Sequence, residues 1–513
     1  MDLTRFITPK KSAEKVERRL TIVFASSEVA PFSKTGGLGD VSASLPKALG
    51  QRGHNVVIFT PLYGHLDPET MRLSRRLQTL EVPRKSKNQS KLEATLWETR
   101  LDHGVRVIFL EAPEYFRREG IYGDGEADFE DNAERFAFFS RAAVEFTRHF
   151  SLDVDVLHCN DWHCALAPIY ARHYYEEEFK DTQMVLTIHN LAYQGRFEDS
   201  RFEATGLPKK YFSETELLDQ DGKVNYLKGG LLYADRITTV SEGYAEEIQT
   251  EAGGCGLHEV LQIRASDLSG ILNGADYSIW SPEIDRHISV QYTIETLNGK
   301  RRNKAELQHH FGLPIRPTLP MLAVISRLTE QKGIDLLADG VRNLLRDVED
   351  DRDGFQLVIF GEGPKRFRDQ LEALQEEFPR RVIFQHGYDE PMAHRIQAGA
   401  DVLLVPSKFE PCGLTQIYAM HYGTVPVVHF TGGLRDTVID LRDNPEEGTG
   451  FVFHEHTPEA LAGAIERATA AYRNYRRWRP LMVRAMEKNF SWDQSAKRYE
   501  ELFRSNGVAA AAQ

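Results

Sequence analysis

The sequence predicts an α/β protein built from two doubly wound parallel-sheet domains, and three observations carry that prediction. Short β-branched runs alternate with longer helical patterns along almost the whole chain. Most of these runs lack polar/apolar alternation, as expected of strands covered on both faces. The rhythm breaks and restarts once near the middle, and 513 residues suffice for two or three domains with ordinary cores.

In the first half, strands are expected at 21–25 (TIVFA), 56–60 (VVIFT), 105–110 (VRVIFL), 154–158 (VDVLH), 184–188 (MVLTI) and 236–240 (RITTV). Between them, residues 132–150 read as a packed helix through Ala133, Phe136, Ala137, Ala143, Val144 and Phe146. Right-handed crossovers then give an open sheet with helices on both faces. The second half places strands at 321–325, 357–360, 382–385, 402–405 and 425–429, several followed by Gly- or Pro-rich turns. The break falls at 270–282 (GILNGADYSIWSP), which mixes turn residues with a strand remnant. The expected organisation is an extension at 1–19, a first domain at 20–270, a second at 271–490 and a terminal helix at 491–508. Ser491 and Gln494 form a capping-box pattern there, and Trp492, Ala496, Tyr499, Leu502 and Phe503 supply an apolar stripe. That helix is expected to cross back to the first domain, although the pattern alone equally fits packing on its own domain.

Composition excludes several functions. With 63 Lys+Arg against 76 Asp+Glu, the net charge of −13 disfavours nucleic acid as a partner. It leaves room for basic residues gathered in one cleft around a phosphate-bearing small molecule. Four cysteines (Cys159, Cys164, Cys255, Cys412) are no disulfide framework in so long a chain, so reduced thiols and a cytoplasmic setting are expected. No apolar run approaches the ~20 residues of a bilayer span, and the charged start lacks the apolar stretch of a secretory signal.

The stretch at 35–41 (TGGLGDV) is echoed at 431–437 (TGGLRDT). Each follows a strand pattern and enters a helical one, where free backbone N–H groups can face an anion. Lys34 precedes the first turn and adds a mobile cation. The spacing is neither a P-loop nor a dinucleotide fingerprint. Arg327 and Lys332, in SRLTEQKG (326–333), follow a buried strand, where ligands bind in open α/β sheets. Two cations there can hold a pyrophosphate and stabilise charge on a nucleoside-diphosphate leaving group. Glu410, in EPCGLTQ (410–416), stands at a helix start, suited to sugar hydroxyls or to positive character at an anomeric carbon. Thr415 and the adjacent amides suit phosphate oxygens. The run HCNDWHC (158–164) is spaced too tightly for a structural zinc site, so no metal is expected. Asp161 reads better as a contact to an acceptor hydroxyl, with Trp162 as an aromatic sugar platform. His189, in TIHNLAYQG (187–195), ends a strand and is a candidate for either a structural or a functional hydrogen bond.

Six segments, in order, closely resemble the bacterial glycogen synthase/plant starch synthase family: KTGGLGDV (34–41), NDWH (160–163), TIHNLAYQG (187–195), SRLTEQKG (326–333), EPCGLTQ (410–416) and TGGLRD (431–436). The resemblance implies a GT-B fold, two Rossmann-like domains facing across a cleft. It also implies transfer of glucose to the non-reducing end of an α-1,4-glucan such as glycogen, with retained configuration and without a cofactor. ADP-glucose is the implied donor. By carry-over, Lys34, Gly36 and Gly37 contact the donor, Arg327 and Lys332 hold its diphosphate, and Tyr388 stacks on its base. Cys412, Gly413, Leu414, Thr415, Gly432 and Gly433 complete the donor side. Glu410 and His189 surround the donor glucose, and Asp161 and Trp162 lie near the acceptor. Rival readings are a related transferase with UDP-glucose or a small acceptor, and a catalytically silent glucan-binding protein.

Overall fold

In a computed structural model, the described residues are 18–84, 91–149, 153–346 and 353–505. Among them the first half of the chain forms a ten-stranded sheet. Seven strands run parallel in the order Leu268–Gly270, Arg236–Thr239, Gln183–Ile188, Val156–Asn160, Thr21–Ala25, Asn55–Pro61, Arg106–Glu111. Strand Lys91–Arg100 adds antiparallel at one side and carries the short strands Ser74–Arg75 and Leu80–Pro83. The second half forms a six-stranded parallel sheet in the order Val382–His386, Gln356–Gly361, Met321–Ile325, Val402–Val405, Val425–His429, Phe451–Phe453. Counted along the chain, the parallel strands of both sheets follow the Rossmann order 3-2-1-4-5-6, with a seventh added in the first.

That order locates the ligand crevice. In each sheet the winding reverses between strands one and four, and the crevice opens beyond their carboxyl ends. These ends are Ala25 and Asn160 in the first domain and Ile325 and Val405 in the second. The opposite ends are stitched by carboxylates. Thr21 donates its N–H to Asp155 at 2.7 Å, Met184 to Asp235 at 2.7 Å and Met321 to Asp401 at 2.8 Å.

The strands form where expected because their side chains are buried on both faces, as in Ile22, Val23, Phe24 and Ala25. Helix Asn132–His149 covers the first sheet, with Phe139 and Phe146 stacked on Phe59 at 5.6 and 4.8 Å between centroids. Two strands of three residues, Leu268–Gly270 and Phe451–Phe453, are too short to read as a pattern. Lys91–Arg100 escapes notice because it is half-solvated and polar. The strand expected at 154–158 is displaced to Val156–Asn160, since Asp155 is spent on the amide of Thr21.

The terminal helix, Trp492–Arg504, lies against helix Gly37–Gln51 of the first domain. Arg52 bonds Glu500 at 2.8 Å and Asp493 at 3.0 Å. The rings of Tyr499 and Phe503 stand 5.5 and 5.7 Å from that of His158. The capping box is not formed: Ser491 makes no side-chain cap, and the Gln494 N–H bonds the Ser491 carbonyl instead. Ser491 is committed to a backbone bridge with Ala275, where the two crossing segments meet. Residues 1–17 and 506–508 of the expected extension and terminal helix lie outside the described residues.

Phe503 belongs to the core of the first domain although it ends the chain's last helix. Phe503→Ala is expected to lower the stability of the first domain by about 3–5 kcal/mol, read by denaturant unfolding; an unchanged midpoint would show that the helix contributes nothing to that core.

Candidate active site

The second-domain side of the crevice begins with a turn that only glycine allows. Gly333 has φ +66°, and a Cβ there would stand 2.1 Å from the Pro406 carbonyl oxygen. This close approach lays the turn after strand one against the loop after strand four, and Lys408 donates its N–H to the Gln331 carbonyl at 2.8 Å. Lys332 is thereby delivered to Glu410, and its Nζ bonds Oε2 of that carboxylate. The Ser407 hydroxyl donates to the same oxygen at 2.9 Å. Glu410 is only 7% exposed, and a buried carboxylate needs such partners. Arg327 is exposed, and its guanidinium has no hydrogen-bond or ion-pair partner among the described residues. Beside it, the buried hydroxyls of Ser326 and Thr329 are likewise unpartnered.

The two echoed glycine turns differ. In each, a glutamate takes the threonine hydroxyl and a glycine amide. Glu28 accepts from Thr35 N at 2.6 Å, Thr35 Oγ1 at 2.7 Å and Gly36 N at 3.2 Å. Glu247 accepts from Thr431 Oγ1 at 2.8 Å and Gly432 N at 2.7 Å. At the second turn the Gly433 N–H also goes to the Glu410 carbonyl at 3.0 Å. The amides of Gly432 and Gly433, expected on the donor side, are thus bonded to protein atoms, as is the amide of Gly36 at the first turn. A Cβ on Gly432 or Gly433 would stand 2.2 Å from the Glu410 carbonyl oxygen or 2.1 Å from that of Cys412. A Cβ on Gly36 or Gly37 would meet nothing within 4 Å. Internal packing demands glycine at the second turn and leaves open space at the first.

On the first-domain side, Lys34 Nζ bonds Asp40 at 2.7 Å in a half-exposed pair. Burial raises the Asp40 carboxyl against the pull of Lys34, and Glu390 of the second domain adds to the rise. The first turn thus faces the segment bearing Tyr388, whose hydroxyl is pushed up to about 12 by desolvation, Glu390 and Asp40. Tyr388 is 60% exposed and lies parallel to Phe360 at 6.0 Å.

Asp161 sits at the end of strand four with φ +55° and ψ −176°, a conformation costing about 1–3 kcal/mol outside glycine. It is buried and accepts the His189 N–H at 2.7 Å. Burial, aided by Glu28, raises its carboxyl to about 7 against the amides of His189 and Asn190. Burial lowers His189 to about 3, so its ring is neutral at physiological pH. Asn160 donates its amide to the Ala25 carbonyl at 3.0 Å, which leaves its Oδ1 as the acceptor 3.0 Å from His189 Nε2. Nε2 therefore carries the ring proton, and Nδ1 is an acceptor without a partner among the described residues.

Trp162 is not the exposed sugar platform expected of it. It is 9% exposed, with Phe136 at 4.9 Å and Phe197 at 5.7 Å, and the Gly195 backbone lies against its ring. Cys412 is buried, and burial pushes its thiol up to about 12. Gly413 is held by the Gln416 amide at 2.7 Å, and Leu414 and Thr415 open helix Thr415–His421. His158, Cys159, His163 and Cys164 are buried, and among the described residues no cluster of three such groups could hold a metal ion. Three residues escaped the sequence reading. Glu28 and Glu247 look like ordinary acids until the turns they hold are seen. Asn273 is buried beside Cys412 with its Oδ1 unpartnered, and in sequence it is one turn residue among several. No helix among the described residues is long and apolar enough to cross a membrane.

The raised carboxyl of Asp161 has a measurable consequence. Between the unfolded value of 3.8 and about 7, the folded protein keeps a proton that the unfolded chain has lost, so this group's contribution falls as pH rises through that window. The decline is at most about 1.4 kcal/mol per pH unit, and flat above it. Asp161→Asn keeps the acceptor and tolerates positive φ, so its melting temperature relative to wild type should climb from pH 5 to pH 7. A pH-independent difference would refute the raised carboxyl.

Residues 21–263 match the family model described as the starch synthase catalytic domain, and residues 306–480 match that of the glycosyl transferases group 1. A glycogen synthase from Anaeromyxobacter sp. (strain Fw109-5) is 44% identical over 490 residues, 95% of this chain and 99% of its own. Glycogen synthase 2 from Geobacter sulfurreducens is 42% identical over 487 residues, 94% and 98% of the two chains. Among solved structures, the catalytic domain of starch synthase IV from Arabidopsis thaliana bound to ADP and acarbose matches with a TM-score of 0.85 at 33% identity, over 95% of this chain and 99% of that one. A sucrose-phosphate synthase from Thermosynechococcus elongatus shares the fold, with a TM-score of 0.59 at 20% identity over 95% and 98% of the two chains. Paired Rossmann-like sheets with facing switch points, and relatives alike over nearly their whole length, lead to one conclusion: the chain belongs to the glycogen synthase/starch synthase family of GT-B glycosyltransferases.

Proposed function

We propose that this protein takes glucose from ADP-glucose and adds it to the 4-hydroxyl at the non-reducing end of an α-1,4-glucan, with retention, releasing ADP and using no metal or organic cofactor. The observation that carries the proposal is the arrangement at the second switch point. Lys332 is bonded to the buried carboxylate of Glu410, while Arg327, in the same segment after strand Met321–Ile325, has no counter-charge among the described residues. A post-strand segment that carries an unpaired guanidinium and an ammonium suits a diphosphate. That the related starch synthase IV is described as bound to ADP supports an adenine nucleotide.

In this reading Arg327 and Lys332 hold the diphosphate and stabilise its growing charge as the C1–O bond breaks. The open face at Gly36 and Gly37, at the start of the 15-residue helix Gly37–Gln51, admits the phosphates from the opposite side with Lys34. Tyr388 offers an exposed ring to the base. Glu410 accepts from hydroxyls of the donor glucose and balances positive character at C1, and the unpartnered Nδ1 of His189 accepts another hydroxyl. The glucan 4-oxygen bonds to C1 on the face the diphosphate leaves, and its proton passes to the departing phosphate oxygen. Asp161 sits on the acceptor side. Thr415 and the amides from Cys412 to Leu414 line the donor side, and domain closure excludes the water that would hydrolyse the donor.

Radiolabel transfer into glycogen, run in parallel from ADP-glucose and UDP-glucose, tests the donor. Preferential incorporation from ADP-glucose is expected, and a preference for UDP-glucose would reverse the assignment. Fructose as acceptor should yield no product. Arg327→Ala or Lys332→Ala should each lower turnover about 10²–10³-fold, the scale of one lost charge stabiliser; near-wild-type turnover in both would remove them from the mechanism. Glu410→Gln should fold normally and lose most transfer.

A further inference from the structure

A six-residue helix, Glu242–Glu247, stands between the two sides of the crevice and touches both. Toward the first domain, the Tyr244 hydroxyl accepts the Leu191 N–H at 3.0 Å and so holds the loop that carries His189. Toward the second domain, three groups of the same segment make contact. The Ser241 hydroxyl donates to the Pro411 carbonyl, immediately after Glu410, at 2.5 Å. The Gly243 N–H donates to Asp436 at 2.7 Å. Glu247 takes the Thr431 hydroxyl and the Gly432 N–H.

The turn that Glu247 grips is the one on which the main chain of Glu410 rests. The Gly433 N–H donates to the Glu410 carbonyl at 3.0 Å, and the Gly432 backbone lies hard against the same oxygen. The side chain of Glu410 is held from its own domain by Lys332 and Ser407. Its main chain rests on a turn anchored from the other domain. Thr431 is 5% exposed, so its bond to Glu247 is shielded. The neighbouring pair Arg435–Glu246, with Glu246 69% exposed, contributes little.

We infer that Glu247 is a positioning residue that couples the pairing of the two domains to the placement of Glu410. The inference rests on the role assigned to Glu410 above. A rotation that separates the domains withdraws Ser241, Gly243 and Glu247 together and leaves the Thr431 hydroxyl and Gly432 amide without partners. The turn beneath Glu410 then loses its anchor, and small misplacements of a reacting group are costly. Through Tyr244, the same helix sets the His189 loop, so one docking event registers groups from both sides of the crevice. Glu247 itself approaches neither Arg327 nor Lys332 among its hydrogen bonds, so its effect belongs in turnover rather than in donor binding.

The test uses the full-length enzyme and compares Glu247→Ala, Glu247→Gln, Thr431→Val, the Glu247→Ala/Thr431→Val double variant and Glu410→Gln. Glu247→Ala should lower kcat about 10- to 100-fold, the scale of a lost charge-assisted hydrogen bond, with KM for ADP-glucose within about twofold. Glu247→Gln keeps an acceptor oxygen and should recover most of the loss. The double variant should be no slower than Glu247→Ala alone, since both changes break one linkage. The inference is overturned if Glu247→Ala keeps wild-type kcat, if its defect appears in KM alone, if Glu247→Gln fails to recover turnover while melting like wild type, or if the two substitutions add. If Glu410→Gln is fully active, it is the reading of Glu410 that fails; if Glu410→Gln is inactive and Glu247→Ala is not, only the coupling fails.

Discussion

A carboxylate buried at the mouth of a hydrophobic sheet is the constraint around which the second domain's crevice is arranged. Glu410 is nearly inaccessible, and a buried charge left without partners would cost several kcal/mol. Its carboxylate is met by Lys332 after strand one and Ser407 in the loop after strand four, and the glycine turn after strand five donates to its main-chain carbonyl. Each arrives because parallel strands in Rossmann order end on the same edge. The requirement that Gly333 touch the Pro406 carbonyl follows from the same need, since a Cβ there would push Lys332 away from its partner.

The two domains solve one local problem in two ways. Each begins a helix with Thr-Gly-Gly, and in each a glutamate takes the threonine hydroxyl and a glycine amide. In the first domain the glutamate, Glu28, comes from the same domain, and space remains over the glycines. In the second, Glu247 comes from across the crevice and the glycines are packed against carbonyl groups. Space is therefore left over the first turn, and the second serves as a joint between domains. The repeated motif is left open on one side and forms a structural seam on the other.

The buried polar groups near Asp161 show a related economy. Asp161 holds a strained backbone and a raised carboxyl, and spends both on fixing the His189 amide. Asn160, anchored on the Ala25 carbonyl, dictates which nitrogen of His189 bears the proton. The ring is thereby presented to the crevice as a neutral acceptor in one tautomer.

Much of this protein was legible in its sequence. Uninterrupted β-branched runs such as MLAVI and VLLV can be satisfied only between two layers of helices, so the parallel sheets follow from hydrophobic periodicity. Motifs at strand ends named Lys34, Arg327, Lys332, Glu410, Asp161 and His189, because short polar runs after buried strands fall at a crevice edge in this architecture. Three things needed the tertiary structure. Trp162 reads as a platform until Gly195 and Phe136 are seen to cover it. The two glycine turns read as equivalent until one is found filled, and Glu28 and Glu247 read as surface acids until their hydrogen bonds are traced. Local pattern determined which segments are strands, helices and turns, since periodicity and steric freedom are properties of neighbours along the chain. Whether a given group is buried, paired or open to a ligand depends on atoms up to hundreds of residues away, and only the packed structure decided it.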